Sequence, residues 1–259
     1  MAQRPVFIAD KNTNEFVKEI NIDFEWYPGF SKIQKQKSII SLHSNFHEKF
    51  PQCAVLEISS KSTVTLGRDL SAFNLMIKTK NNNEFSVETA FQASKVFEFG
   101  GPFLELYEKT SLEAKKEPKI KNSGDLIYFQ FFNRKFQLEP KTFFYDWLYI
   151  NALSLNTRLA EEILKYDAFT DIEFNPKKSI NCQARSVALF VSLQRAGLLK
   201  DVLSSEINYK NIVYSFSERQ GFKLDKDKDK DKDKDKDKDK DKDKDAIEQL
   251  NLFDSMMED

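Results

Sequence analysis

The chain has 259 residues, of which 40% are hydrophobic and 24 are phenylalanines, so it has enough apolar bulk for a folded core. Outside the run Asp225–Asp245, which holds 11 Asp and 10 Lys, it contains 30 acidic and 30 basic residues. A neutral domain is a poor candidate for tight non-specific binding to DNA, which depends on many phosphate contacts. The N-terminus lacks an apolar signal region and no apolar run approaches about 18 residues, so we expect a cytoplasmic protein without a membrane partner.

The first predicted elements, in chain order, are extended. Pro5–Ala9 and Ile20–Trp26 show the alternation typical of strands, and a hairpin can join them. Ser31–Lys49 is predicted to be helical. Three β-like segments follow, which are Ala54–Ser59, Ser62–Leu66 and Phe73–Lys78, and the polar stretch Asn81–Asn83 predicts a turn.

From Ser86 onward the pattern becomes helical. The predicted helices are Val87–Phe99, Phe103–Lys109, Leu112–Lys116, Phe143–Ser154, Thr157–Tyr166 and Gln183–Leu203. We therefore expect a mainly α fold with a small β component at its N-terminal side, of the α+β class. One catalytic domain is predicted over residues 1–205, followed by a transition segment 206–224, a disordered Asp-Lys linker 225–245 and a short motif in 246–259.

The cysteines and histidines give no sign of a metal or disulfide site. Cys53 and Cys182 lack any ligand spacing. His43 and His47 have the i, i+4 spacing that can hold a metal on a helix, but Glu48 is the only acidic residue near them. We expect no metal and no cofactor.

The segment at Ser86 has the most informative pattern in the chain. Ser86 suits the N-cap of a helix, because its hydroxyl can accept a hydrogen bond from a free backbone N–H. On that helix Glu88, Gln92 and Lys95 would lie within about 60° of one another. The spacing alone favours an ordinary amphipathic helix with a polar edge.

Five segments in the same order resemble the NADAR superfamily, whose fold is called YbiA-like. The run SVETAFQASK, residues 86–95, resembles the superfamily motif Ser-x-Glu-His-x-x-Gln-Ala-x-Lys, with Thr89 in place of the usual His. The other four are LSAFNL (70–75), SLEAKKEPK (111–119), DIEF (171–174) and the helix at 185–195. The resemblance covers residues 5 to 203 and is greatest to the NADAR antitoxins paired with DarT-type toxins, which ADP-ribosylate guanine in DNA.

This resemblance implies an N-glycosidase that handles ADP-ribose. Glu88 would be the carboxylate that stabilises an oxocarbenium-like transition state or activates water. Lys95 would hold phosphate or attack an opened ribose as an amine. The resemblance also gives candidate substrate contacts, which are Ser86, Gln92, Asn74, Glu173, Asn181, Gln183 and Arg185.

Some of these candidates have a plain structural alternative. Glu173 is nearly as well explained as a surface acid. Asn181, Gln183 and Arg185 lie where the last helix begins, so they can hold a diphosphate or can simply cap and pack that helix.

Three functions remain open from the sequence. The first is removal of ADP-ribose from guanine in DNA, which would make the protein an antitoxin with ADP-ribosylated DNA as substrate and an ADP-ribosyltransferase toxin as possible partner. The second is an N-glycosidase for small riboflavin-pathway intermediates. The third is a non-catalytic module that binds ADP-ribose or sequesters the toxin.

The C-terminus carries a possible partner motif. Gln249, Leu250, Leu252 and Phe253 resemble the short peptide with which bacterial proteins dock on the replication sliding clamp, and the Asp-Lys run would serve as its tether. A weak terminal helix that packs back on the domain is the alternative.

We predict that sliding clamp is retained by the immobilised full-length chain and that Leu252→Ala together with Phe253→Ala abolishes retention, because both apolar side chains fill one pocket in this docking mode. Met256→Ala, in the same tail, serves as the control. Equal retention by the double variant would exclude clamp docking.

Overall fold

The computed structural model describes residues 2–12, 15–79 and 81–214. The Asp-Lys linker and the motif with Gln249, Leu250, Leu252 and Phe253 lie outside the described residues.

The N-terminal part of the chain forms a four-stranded sheet with one long helix on it. Strands β1 (Ala2–Ala9) and β2 (Val17–Phe24) pair antiparallel from Ala2 opposite Phe24 to Ala9 opposite Val17. The sheet order is β2-β1-β9-β3, where β3 spans Val55–Glu57 and β9 spans Ala168–Thr170. Helix α1 (Lys32–Lys49) packs its apolar side on this sheet, and the Ser31 side chain caps it by accepting from the backbone N–H of Gln34.

The middle of the chain forms two small sheets and short helices. Strands β4 (Met76–Lys78) and β5 (Glu84–Ser86) form a hairpin, and β6 (Lys95–Phe97), β7 (Leu126–Phe131) and β8 (Arg134–Phe136) form an antiparallel sheet. The short helices here are α2 (Thr65–Asp69), α3 (Val87–Ala93), α4 (Ser111–Lys116) and α5 (Pro118–Lys121), together with a 3₁₀ turn at Leu104–Glu108.

Two long helices form the centre of the main core. In α6 (Phe143–Leu155), 11 of the 13 residues are buried, so the helix is covered on nearly all sides. Helix α8 (Gln183–Arg195) packs against α6 and against the first sheet. The remaining elements are α7 (Thr157–Glu162), a 3₁₀ turn at Ile163–Lys165, α9 (Leu199–Ser204) and α10 (Glu206–Val213).

The structure confirms the α+β class and the N-terminal strand hairpin. It also contains strands that the sequence did not predict, namely β5, β6, β7, β8 and β9. Helix α10 lies beyond residue 205, where the catalytic domain was predicted to end. It packs on the core through the buried Tyr209, whose ring lies 5.1 Å from that of Phe143.

Three predicted elements were wrong in their type or length. Residues 62–66 are not a strand, because the Arg68 guanidinium binds the carbonyls of Ser62 and Thr63 and closes a turn that opens α2. The helix predicted to end at Phe99 ends at Ala93, since the next residues pair with β7. The last predicted helix is two helices, separated at Gly197, whose φ of 71° and backbone bond to Gln194 end α8.

Candidate functional site

The start of helix α3 is held by the turn that precedes strand β4. The N–H of Val87 donates to the carbonyl of Leu75 at 2.9 Å, and the N–H of Glu88 donates to the carbonyl of Ala72 at 2.8 Å. Two of the free N–H groups at a helix start are thereby satisfied. The segments LSAFNL and SVETAFQASK are therefore neighbours in space through their backbones.

The cap of α3 joins a network of small hydroxyl groups. Ser86 Oγ accepts from the N–H of Thr89 at 3.0 Å and lies 2.7 Å from Ser111 Oγ. Ser111 Oγ in turn donates to the carbonyl of Phe73. Thr89 is buried, and its hydroxyl lies 3.0 Å from Ser86 Oγ. Thr89 and Ser86 thus position the helix that carries Glu88.

Glu88, Gln92 and Lys95 form one hydrogen-bonded chain, the Glu88–Gln92–Lys95 chain. Gln92 Nε2 donates to Glu88 Oε1 at 2.9 Å, and Lys95 Nζ donates to Gln92 Oε1 at 2.8 Å. The sequence placed all three on one helix. In the structure Lys95 is the first residue of β6, one residue after the helix C-cap Ser94, and it still reaches the same polar edge.

The environment of Lys95 makes its ammonium group more acidic than that of an ordinary lysine. The pKa of Lys95 is lowered to about 8, mainly by burial and to a smaller extent by the charge of Lys115, while the Glu88 carboxylate opposes the shift. The Lys95 ammonium also lies 4.8 Å from the centre of the Phe91 ring. Lys95 is therefore able to act as a nucleophile near neutral pH.

Glu88 is only 6% exposed but has a second cation beside it. Lys115 Nζ, on α4, lies 3.8 Å from Glu88 Oε1 and 5.0 Å from the centre of the Phe73 ring. The Lys115 side chain is 55% exposed, so this cation covers the carboxylate from the solvent side. A lysine that lies over a site and remains half in water is suited to contact an anionic substrate group.

Tyr145 of α6 is near enough to Glu88 and Asp171 for both charges to act on its hydroxyl. Burial raises the pKa of Tyr145 well above its usual value, and the negative charges of Glu88 and Asp171 both add to that shift. Tyr145 also packs edge-on against Phe91. No sequence pattern pointed to Tyr145 as a site residue.

Asp171 is a buried acidic side chain in the loop after β9. Its pKa is raised to about 8, mainly by burial and also by the neighbouring Glu57 carboxylate. Glu57 is fixed by three donors, which are the hydroxyls of Thr170 and Ser59, each at 2.6 Å, and the N–H of Ile172 at 2.8 Å. This loop is the DIEF segment, in which the sequence analysis selected Glu173 rather than Asp171.

The remaining predicted contacts divide into two groups. Gln183 joins the site to the loop. Its Oε1 accepts from the N–H of Ala72 at 2.7 Å, and its Nε2 donates to the carbonyl of Ile58 at 2.6 Å. It also lies near Asp171 and lowers the pKa of that carboxyl. The Asn181 side-chain oxygen is buried with no partner among the described residues.

The other three have partners outside the Glu88–Gln92–Lys95 chain. Arg185 Nη1 binds Asp146 Oδ2 at 2.7 Å, Asn74 Nδ2 donates to the carbonyl of Arg68 at 2.8 Å, and Glu173 pairs with Lys35 at 3.2 Å. Their roles as substrate contacts stay predictions. Lys115, Tyr145 and Asp171 are the residues that the geometry adds.

We predict that the pKa of Lys95 falls further in Glu88→Gln, since the favourable charge of the carboxylate is lost, and rises in Lys115→Gln, since a repelling cation is removed. The measurement is the rate of Lys95 acetylation by acetic anhydride against pH, read by mass spectrometry. Exposed Lys200 in the same digests is the internal control. Shifts of the same sign in both variants would contradict the assigned electrostatics.

One comparison with known proteins matches the chain to a family. The family model for the DarT1-associated NADAR antitoxin matches residues 2–222 and so includes every element described. No curated protein matches the chain. Within the described residues, no helix has the length and apolar character required to cross a membrane. The family match confirms the resemblance found in the sequence, and the chain belongs to the DarT1-associated NADAR antitoxin family.

Proposed function

We propose that this antitoxin is an N-glycosidase that removes ADP-ribose from ADP-ribosylated guanine in DNA and so reverses the modification made by a cognate DarT1 toxin. The observation that carries the proposal is the Glu88–Gln92–Lys95 chain, in which a buried carboxylate and a lysine of lowered pKa are joined by one amide. Cytoplasmic DNA would be the place of action.

Glu88 supplies the fixed negative charge that cleavage of a ribosyl bond needs. Positive charge develops at C1 of ribose as the bond to guanine breaks, and a carboxylate oriented in advance stabilises it. Glu88 Oε1 is held by Gln92, and its backbone N–H is held by Ala72, so the carboxylate does not have to reorganise during the reaction.

Lys95 offers a covalent route to the same products. With a pKa of about 8, roughly a tenth of Lys95 is the free amine at neutral pH. The amine adds to C1 of the ring-opened ribose, guanine leaves with its bonding electrons and a proton, and water then hydrolyses the imine to release ADP-ribose.

Lys115 and the loop after β9 would bind the rest of the substrate. The half-exposed ammonium of Lys115 is placed to contact a phosphate oxygen of ADP-ribose while it faces Glu88. The unpartnered side-chain oxygen of Asn181 is an acceptor that a ribose hydroxyl would satisfy. A clamp-docking tail would bring this enzyme to DNA.

We expect Glu88→Gln to lower kcat for ADP-ribose release by about 100-fold or more, because it removes the charge that stabilises the transition state. Release is followed by chromatography after incubation with an oligonucleotide that carries ADP-ribosylated guanine. Glu84→Gln, an exposed glutamate two residues before the cap, is the matched control.

The result separates the three functions. Full activity in Glu88→Gln would show that the assignment of Glu88 is wrong. Tight binding of the modified oligonucleotide by the wild-type protein without release would favour the non-catalytic module. Release only from small ribosylated molecules would favour the riboflavin-pathway activity.

We expect borohydride added during turnover to trap an adduct of ADP-ribose on Lys95 of the wild-type protein, since reduction converts the imine into a stable amine. Lys95→Arg keeps the charge and should give no adduct, whereas Lys115→Arg should still give one. Peptide mapping by mass spectrometry locates the adduct. Normal release without any adduct on Lys95 would leave direct attack by water as the mechanism.

A further inference from the structure

One surface segment departs from the charge balance of the chain. Between Glu25 and Glu48 the chain carries three lysines and two histidines but no Asp or Glu. Lys32, Lys35 and Lys37 all lie in the first two turns of α1. A domain that is neutral overall therefore has a local concentration of positive charge at one end of its longest helix.

Aromatic side chains lie next to these lysines. Lys35 Nζ lies 4.6 Å and the Arg4 guanidinium 5.5 Å from the centre of the Trp26 ring, and Lys37 Nζ lies 5.8 Å from that of Tyr27. Phe30, at the end of the same loop, is 100% exposed. We call this set the aromatic–lysine surface; it consists of Trp26, Tyr27, Phe30, Lys32, Lys35 and Lys37.

An open cavity adjoins the surface. It has a volume of about 690 Å³ and is lined by Ala2, Glu25, Trp26, Ser41 and Asn45. Its single acid, Glu25, already accepts a hydrogen bond from the Tyr27 hydroxyl at 2.7 Å. The space beside the Trp26 ring is sufficient for a nucleobase, and neutral hydrogen-bonding groups border it.

Direct contacts connect the aromatic–lysine surface to the Glu88–Gln92–Lys95 chain. Lys35 pairs with Glu173, which lies in the same loop as Asp171. The N–H of Glu173 donates to Asp171, which lies near Gln183. Gln183 accepts from the N–H of Ala72, and the carbonyl of Ala72 accepts from the N–H of Glu88. The segment 171–183 therefore contacts both the aromatic–lysine surface and the turn that holds Glu88.

We propose that the aromatic–lysine surface binds the single-stranded DNA that flanks the modified guanine. This inference rests on the proposed function. Lysines next to stacking rings are the combination that single strands require, since the backbone meets cations and the bases meet flat apolar faces. Because Glu88 is almost fully buried, the reacting bond of a base stacked in a duplex does not reach it, so the nucleotide enters unstacked.

The test uses an unmodified oligonucleotide of about 12 nucleotides, within the range of known single-strand sites, and the full chain. Fluorescence anisotropy over a series of salt concentrations is expected to show binding that weakens by at least about five-fold in Phe30→Ala and recovers in Phe30→Trp. Lys32→Gln and Lys37→Gln should each reduce the salt slope by about 0.7.

Further variants show whether weaker binding reflects the loss of a contact or the loss of the fold. Lys32→Glu places an acid in the first turn of α1, where it favours the helix, so weaker binding by this variant is not a sign of unfolding. Ile207→Ala and Lys200→Glu alter an exposed apolar and an exposed basic residue in α10 and α9, and binding should not change.

The outcomes distinguish this surface from the proposed function. If the oligonucleotide binds through these residues but no ADP-ribose is released from modified DNA, the proposed function fails and the surface stands. If release occurs and Phe30→Ala and Lys37→Gln leave the KM for a modified oligonucleotide unchanged, the surface is refuted. Equal or tighter binding of duplex DNA or of RNA would also overturn the inference.

Discussion

The site depends on one backbone interaction, the hydrogen bonds between the 72–75 turn and the first residues of α3. Seven residues make a helix too short to be stable alone, so its position must come from its surroundings. The carbonyls of Ala72 and Leu75 supply that position, and Gln183 holds the turn from the other side. The orientation of Glu88 is therefore set by segments more than 100 residues apart in the chain.

Several buried acidic side chains lie around these hydrogen bonds. Glu57 and Asp171 lie close together under the loop after β9, and Asp146 pairs with Arg185 inside the main core. Such groups cost desolvation energy, which hydrogen bonds to each carboxylate offset. Glu57 receives three of them, and so polar contacts help to fix the loop that borders the site, together with the apolar packing of Ile172 and Phe174.

Part of this structure was accessible from the sequence. The cap at Ser86, the N-terminal hairpin and α1 follow from local signals, namely a capping hydroxyl, period-two alternation and helical periodicity. The pairing of β6 with β7 did not, because it joins residues about 30 positions apart and overrides the helical pattern after Ala93. Tyr145 and Asp171 were missed for the same reason: their relation to Glu88 exists only after the chain is folded.

The Gln92 amide lies between the Glu88 carboxylate and the Lys95 amine and keeps them from direct contact. A carboxylate and an ammonium in direct contact would neutralise each other, and the lysine would remain protonated at any physiological pH. Gln92 separates them with a neutral dipole that presents its NH₂ to the acid and its oxygen to the amine. Under the proposed function, the carboxylate of Glu88 and the amine of Lys95 would therefore be two separately usable groups before the modified DNA strand binds.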